Sequence, residues 1–160
     1  GVYTVTCVGP DGVEKWSDTF HNLVVNQGLQ DMNDKYFKAS GYTAVWYLGL
    51  VTGPGGSNTY AAADTLASHA GWAENTDYTG SRKTVTFGTP TTADPSVVSN
   101  SASPSAFSMD DTATIAGAFL ATTTDNSGVL FSVGNFTGGD KSVASGDTLN
   151  VTYQFSLDAA

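Results

Sequence analysis

Residues 148–157, TLNVTYQFSL, alternate without a break. Leu149, Val151, Tyr153, Phe155 and Leu157 take one set of positions, and Thr148, Asn150, Thr152, Gln154 and Ser156 take the other. A period of two belongs to a β-strand, whose successive side chains leave on opposite faces. One face is expected to be dry and the other wet, and a sheet with a dry face needs a second layer to cover it. The start of the chain repeats the pattern: in VYTVTCV (2–8), Tyr3, Val5 and Cys7 share a face. GPDG (9–12) is turn chemistry, and VEKWSDTF (13–20) returns as the second strand of a hairpin.

AVWYLGLV (44–51) is apolar on both faces, which places it as a central strand. Further strands are expected in KTVTFG (83–88), SAFSM (105–109), TATIAGAFLATT (112–123) and VLFSVGNF (129–136). Between them lie a Pro- and Thr-rich connection at 89–96 and the turn-forming runs DD, DNSG and GGDKSVASGD; TGPGGSNT (52–59) reads as a flexible loop. Only one stretch changes period. Leu29, Met32 and Tyr36, with Phe37 beside them, predict an amphipathic helix over about 27–38, with Gly28 near its start and Gly41 past its end. Charged residues make up 13% of the chain, about half the usual share, which suits short strands and turns better than long helices. The expected fold is mainly β: an antiparallel sandwich or barrel-like domain over residues 1–160, with the helix at 27–38 and a short helical turn near 64–69.

Fifteen Asp and Glu against six Lys and Arg give a formal charge of −9. Such a balance supplies no basic footprint for phosphates, so neither nucleic acid nor an anionic membrane surface is expected as a partner. Cys7 is the only cysteine, which excludes an intrachain disulfide and a thiolate metal cluster. No apolar run reaches the length of a membrane-spanning helix. With no signal-peptide pattern at the opening, the expectation is a soluble product of a cytoplasm.

DTLASHAGWAE (64–74) is the densest group of reactive side chains: Asp64, Ser68, His69, Trp72 and Glu74. Asp64 and His69 are five residues apart, which does not place two ligands on one helical face. The expected reading is a capped turn. Asp64 is the N-cap, His69 lies in the last turn, Gly71 ends it, Trp72 packs down and Glu74 points out. His21 would have to converge with His69 and an acid to hold a metal. Asp110-Asp111 are adjacent and read as turn or cap residues rather than a catalytic pair. Asp125, Asn126, Ser127 and Gly128 could offer oxygens to Ca²⁺, but they lack an ordered ligand run and read as a hairpin turn. Asn135 and Asn150 head Asn-x-Thr triplets of the kind that arise by chance in a Thr-rich chain. Trp16, Trp46 and Trp72 are expected in the core or at an interface rather than in a sugar platform. No catalytic, cofactor-binding or metal-binding residue is assigned.

Taken together these pieces carry a resemblance. W-x-D-x-x-x-N-x-V-V-N-x-G-L runs from Trp16 to Leu29, followed by WYLGL (46–50), ADT-x-x-SHAGW-x-E (63–74), Tyr78, Arg82 and N-x-A (100–102). IAGAFL (115–120), G-x-L (128–130) and SGDTLNVTY (145–153) close the run. Over nearly its full length the chain resembles a family of small virion structural proteins of tailed bacteriophages. That resemblance implies a non-enzymatic virion component, made in the host cytoplasm, that acts as a capsid decoration or cement protein. The implied partners are the major capsid protein of the phage head and further copies of the same chain. A head-fibre or tail-associated adhesin contacting the host surface is the alternative. The matched Gly, Asn, Asp and Trp positions are implied to be scaffold.

Overall fold

The structure, a computed structural model, describes residues 1–159. The opening hairpin forms as expected: β1 (Val2–Val8) pairs antiparallel with β2 (Glu14–His21). On its other edge β1 pairs with β12 (Thr148–Leu157), the long alternating strand, so the two ends of the chain lie side by side. The far edge of β12 is shared by two short strands. β8 (Ser105–Ser108) covers its first half and β7 (Ser96–Ser99) its second.

The second sheet is built around β9 (Ala113–Ala121), which lies between β4 (Trp46–Thr52) and β10 (Leu130–Asn135). β3 (Leu23–Val24) extends the β10 edge. β5 (Glu74–Asn75) and β6 (Lys83–Val85) pair along β4, and β11 (Lys141–Val143) pairs with the start of β9. All pairings are antiparallel, and the two sheets pack face to face as a β-sandwich.

Alternation decides what fills the space between the sheets. Tyr3, Val5 and Cys7 from β1, with Leu149, Val151 and Tyr153 from β12, meet Leu48 and Leu50 from β4 and Ile115 and Leu120 from β9. All are buried, each large apolar group contributing about 1.5–3 kcal/mol. Polar links also join the sheets: the Tyr3 and Ser132 hydroxyls share a hydrogen bond of 2.8 Å, and the Ser105 hydroxyl donates to the Thr84 carbonyl at 2.9 Å. The alternation of β12 outlasts its burial, since Phe155 is half-buried and Leu157 is 63% exposed at the strand's end.

The second sheet is buried on its outer face as well, which explains why β4 and β9 read as apolar on both sides. Val51, Ala116, Phe119, Ala121, Leu130 and Val133 form a second core with Val25, Leu66 and Trp72. The cover is the irregular segment between β4 and β5. Phe119 lies so flat across the sheet that a Cβ on its cross-strand partner Gly49 would come within 2.2 Å of the ring. Glycine is required there by close approach, not by backbone angle.

The helix occupies the expected residues with a different winding. α1 spans Asn26–Met32 and continues as a π-helix over Asn33–Phe37, closed by Lys38 N–H donating to the Asn33 carbonyl at 3.2 Å. Gly28 lets α1 sit directly on β10, where a Cβ would meet the Phe131 carbonyl oxygen at 2.5 Å. The wider turn takes in one more residue. Met32 stays half-buried, whereas Leu29, Tyr36 and Phe37 are exposed. The helix ends at Ala39, in the left-handed region at φ 57°, with Ser40 N–H reaching back to the Asp34 carbonyl. Gly41, the expected terminator, lies beyond that point.

Candidate functional site

The segment DTLASHAGWAE is structural, but its geometry differs from the expected one. Residues 64–69 form no helical turn. Thr65 and Ser68 exchange backbone hydrogen bonds of 3.0 and 3.2 Å around Leu66-Ala67, a tight two-residue reversal. Leu66 explains the choice, because the reversal drives its side chain into the second core. Asp64 caps no helix. Its Oδ2 accepts the Trp72 indole N–H and the Ala61 N–H, each at 3.0 Å, so a buried carboxylate fixes the indole. The His69 ring stacks on Trp72 with centroids 3.9 Å apart, and its Nδ1 donates to the Trp72 carbonyl at 3.0 Å. Trp72 in turn packs against Phe119.

Glu74 was expected to face solvent and instead clasps Arg82. Nε donates to Oε1 at 2.9 Å and Nη2 to Oε2 at 2.7 Å. Arg82 is buried, lies over the Phe119 ring, and donates further to the Thr123 and Asp125 carbonyls and the Asn126 side chain. The DNSG turn is thus wrapped around a guanidinium and offers those oxygens to it. Asp125 also accepts from the Ser127 amide and hydroxyl, and these bonds hold its carboxyl below the usual range. Nothing in the residues around Arg82 marks it as a cation that Glu74, Phe119 and the 123–126 turn will enclose.

The remaining candidates disperse. Asp111 accepts locally from the Thr112 amide, whereas Asp110 closes no turn: it accepts from the Thr79 hydroxyl and its N–H donates to the Asp77 carbonyl, tying two segments distant in sequence. Among the described residues no group of three or more His, Cys, Asp or Glu side chains is placed to hold a metal ion, so His21 and His69 do not join an acid in one site. Trp16 packs on Phe136, Trp46 on Phe131 and Trp72 on Phe119, which makes three separate contacts and no shared platform.

A surface feature lies apart from these motifs. At the end of the sandwich beside the helix, Met32, Tyr36, Phe37, Tyr42, Trp46 and Leu157 line an open groove of about 540 Å³, with Asp31, Asn33 and Lys35 at its margin. Tyr36 and Phe37 are 82% and 80% exposed and stand edge to face, with centroids 5.0 Å apart. Behind the groove a cleft of about 250 Å³ enters between the sheets, lined by Phe87, Val98, Phe131 and Phe155. Met32 and Trp46 line both spaces. The helix signal marks Met32, Tyr36 and Phe37 as its apolar side, and Tyr36 and Phe37 stand in water rather than against the sheets.

The chain is an antiparallel β-sandwich with one covered outer face and one aromatic-lined end. No protein-family model, no curated protein and no solved structure matches it.

Proposed function

We propose that the chain is a non-enzymatic structural protein of a bacteriophage virion, made in the host cytoplasm, that decorates the head by binding the major capsid protein on the outer shell. The observation that carries this reading is the exposed aromatic end, with Tyr36 and Phe37 four-fifths in solvent beside an apolar groove. Large contiguous apolar surface is uncommon on a protein that works alone and marks a surface built for contact. The family resemblance supplies the setting. The densest polar motif supports the same reading, because Asp64, His69, Glu74 and Arg82 spend their hydrogen bonds holding the cover of the second sheet.

A decoration protein acts by mass action. It binds the assembled shell and not the dispersed subunits, so each bound copy raises the cost of losing a subunit. The net charge of −9 keeps free copies soluble before docking. The test is saturation binding of the purified protein to expanded heads that lack it, with tails and host cells as parallel targets. Saturable binding to heads at a lattice stoichiometry, with slower disassembly, is the expected result. Binding to cells or tails and not to heads overturns the shell assignment in favour of an adhesin.

A further inference from the structure

We infer that the aromatic end is a self-complementary interface, and that its occupant is a second copy of this chain in an antiparallel, two-fold pairing of the helical segments. This rests on the reading of that end as an assembly surface and names its partner.

Charge is the first argument. Asp31, Asp34, Lys35 and Lys38 hold two of the fifteen acids and two of the six bases, so this segment is neutral while the rest of the chain carries the whole −9. Two copies repel one another through most of their surface and least through this one. The order of the charges is the second argument. In an antiparallel pairing centred between residues 34 and 35, Asp31 and Lys35 at the groove margin lie opposite Lys38 and Asp34 of the other copy, which form an ion pair of 3.4 Å within their own chain. A two-fold interface has this property, in which i meets j and j meets i. The same centre sets Phe37 opposite Met32.

The third argument is shape. Met32 stands where the outer groove opens into the cleft between the sheets, whose wall is an aromatic ladder running from Trp46 to Phe131 to Phe155. The chain carries a knob, the exposed Phe37, and beside it an apolar hole. Pairing two copies seats each knob at the other's hole and covers the exposed aromatic face. An apolar centre ringed by paired charges is the usual anatomy of a protein interface.

Sedimentation velocity of the full chain, from about 1 μM to about 1 mM, spans moderate to weak dissociation constants. The expected result is a monomer–dimer equilibrium that Phe37→Glu weakens more than tenfold. Phe37 is exposed, so the variant should keep its fold, which circular dichroism checks. A charge swap supplies the second test. Asp31→Lys/Asp34→Lys and Lys35→Glu/Lys38→Glu should each fail to pair with themselves and should pair with each other when mixed. A wild-type chain that stays monomeric throughout the range overturns the inference. So does a dimer indifferent to both sets of substitutions. A monomer whose Phe37→Glu variant loses head binding also overturns it, and gives the groove to the shell. A dimer dispersed as described that binds no heads upholds the inference while the virion reading fails.

Discussion

The side-chain carbonyl of Asn100 accepts the backbone N–H of Tyr153 at 2.7 Å, in the gap where β12 passes from β8 to β7. Its Nδ2 donates to the Val151 carbonyl at 3.2 Å, and its own N–H donates to the Tyr153 carbonyl. One buried amide thus continues the ladder along the central strand where neither short neighbour reaches. Asn100→Ala would orphan a buried N–H and lose a partner for a buried carbonyl, costing about 2–3 kcal/mol. Asn100→Asp should be worse, because it keeps the acceptor, loses the donor and buries a charge. Urea unfolding midpoints of the two variants check the order.

Arg82 offers a second test, of the cover over the outer sheet face. Its guanidinium joins β5, through Glu74, to the turn at 123–126, and it stacks on Phe119. Removing one partner of a buried pair strands the other, so Arg82→Ala should lose about 3–5 kcal/mol. Arg82→Lys should recover little, since a single ammonium cannot serve a fork and two turn carbonyls at once. If Lys restores most of the stability in urea titrations, the geometry of the fork is not what holds the cover.

What the sequence shows and hides follows from range. The alternation of β1 and β12, the doubly apolar β4 and the helix at 27–38 are local periodicities, and each lies where the pattern puts it. The strands that escape detection are short and depend on neighbours. Lys141–Val143 is a strand only because β9 lies alongside, and Ser96–Ser99 only because β12 overhangs β8. At 64–74 the residues that matter are visible, but their roles are not. Asp64 looks like a helix cap until Trp72 is folded back onto it, and Glu74 looks solvated until Arg82 arrives from the next segment. The aromatic end is a subtler case: the spacing marks Met32, Tyr36 and Phe37 as the apolar side of a helix, but not whether any neighbour covers that side.

Ala39 supplies a prediction with the opposite sign. It holds φ at 57°, where a Cβ costs about 1–2 kcal/mol, and it terminates the helix in the position glycine favours. Ala39→Gly relieves that cost and gives back about 0.4–1 kcal/mol through a freer unfolded chain. The net should be a gain of about 0.5 kcal/mol. A small upward shift in the urea midpoint, with unchanged slope, is the expected reading, and a loss of stability would place the helix end elsewhere.

The pH dependence of stability should be shaped at both ends by one cluster under the first hairpin. Asp147 is buried, and burial alone would raise its pKa. The Lys15 ammonium at 2.6 Å and the Ala144 amide at 2.9 Å outweigh that and hold the carboxyl below its ordinary value. A depressed carboxylate stabilises fully above its unfolded pKa of about 3.9, and the contribution fades as pH falls through the folded value. Beside it the Cys7 thiol is pushed up to about 11, first by burial and then by the Asp147 charge. The folded state therefore keeps a proton that an unfolded thiol gives up near pH 8.5, and stability should fall as pH rises from about there toward the folded value. Lys15, raised by its bond to Asp147, adds to the alkaline loss, since its stabilisation is present below the unfolded lysine value and disappears above the folded one. Thermal midpoints across pH for the wild type, Asp147→Asn and Cys7→Ala separate the contributions. Asp147→Asn should be less stable at neutral pH with a flatter acid limb, and Cys7→Ala should lose only part of the alkaline limb, leaving the Lys15 share. An acid limb unchanged by Asp147→Asn would assign the acid sensitivity to other carboxylates.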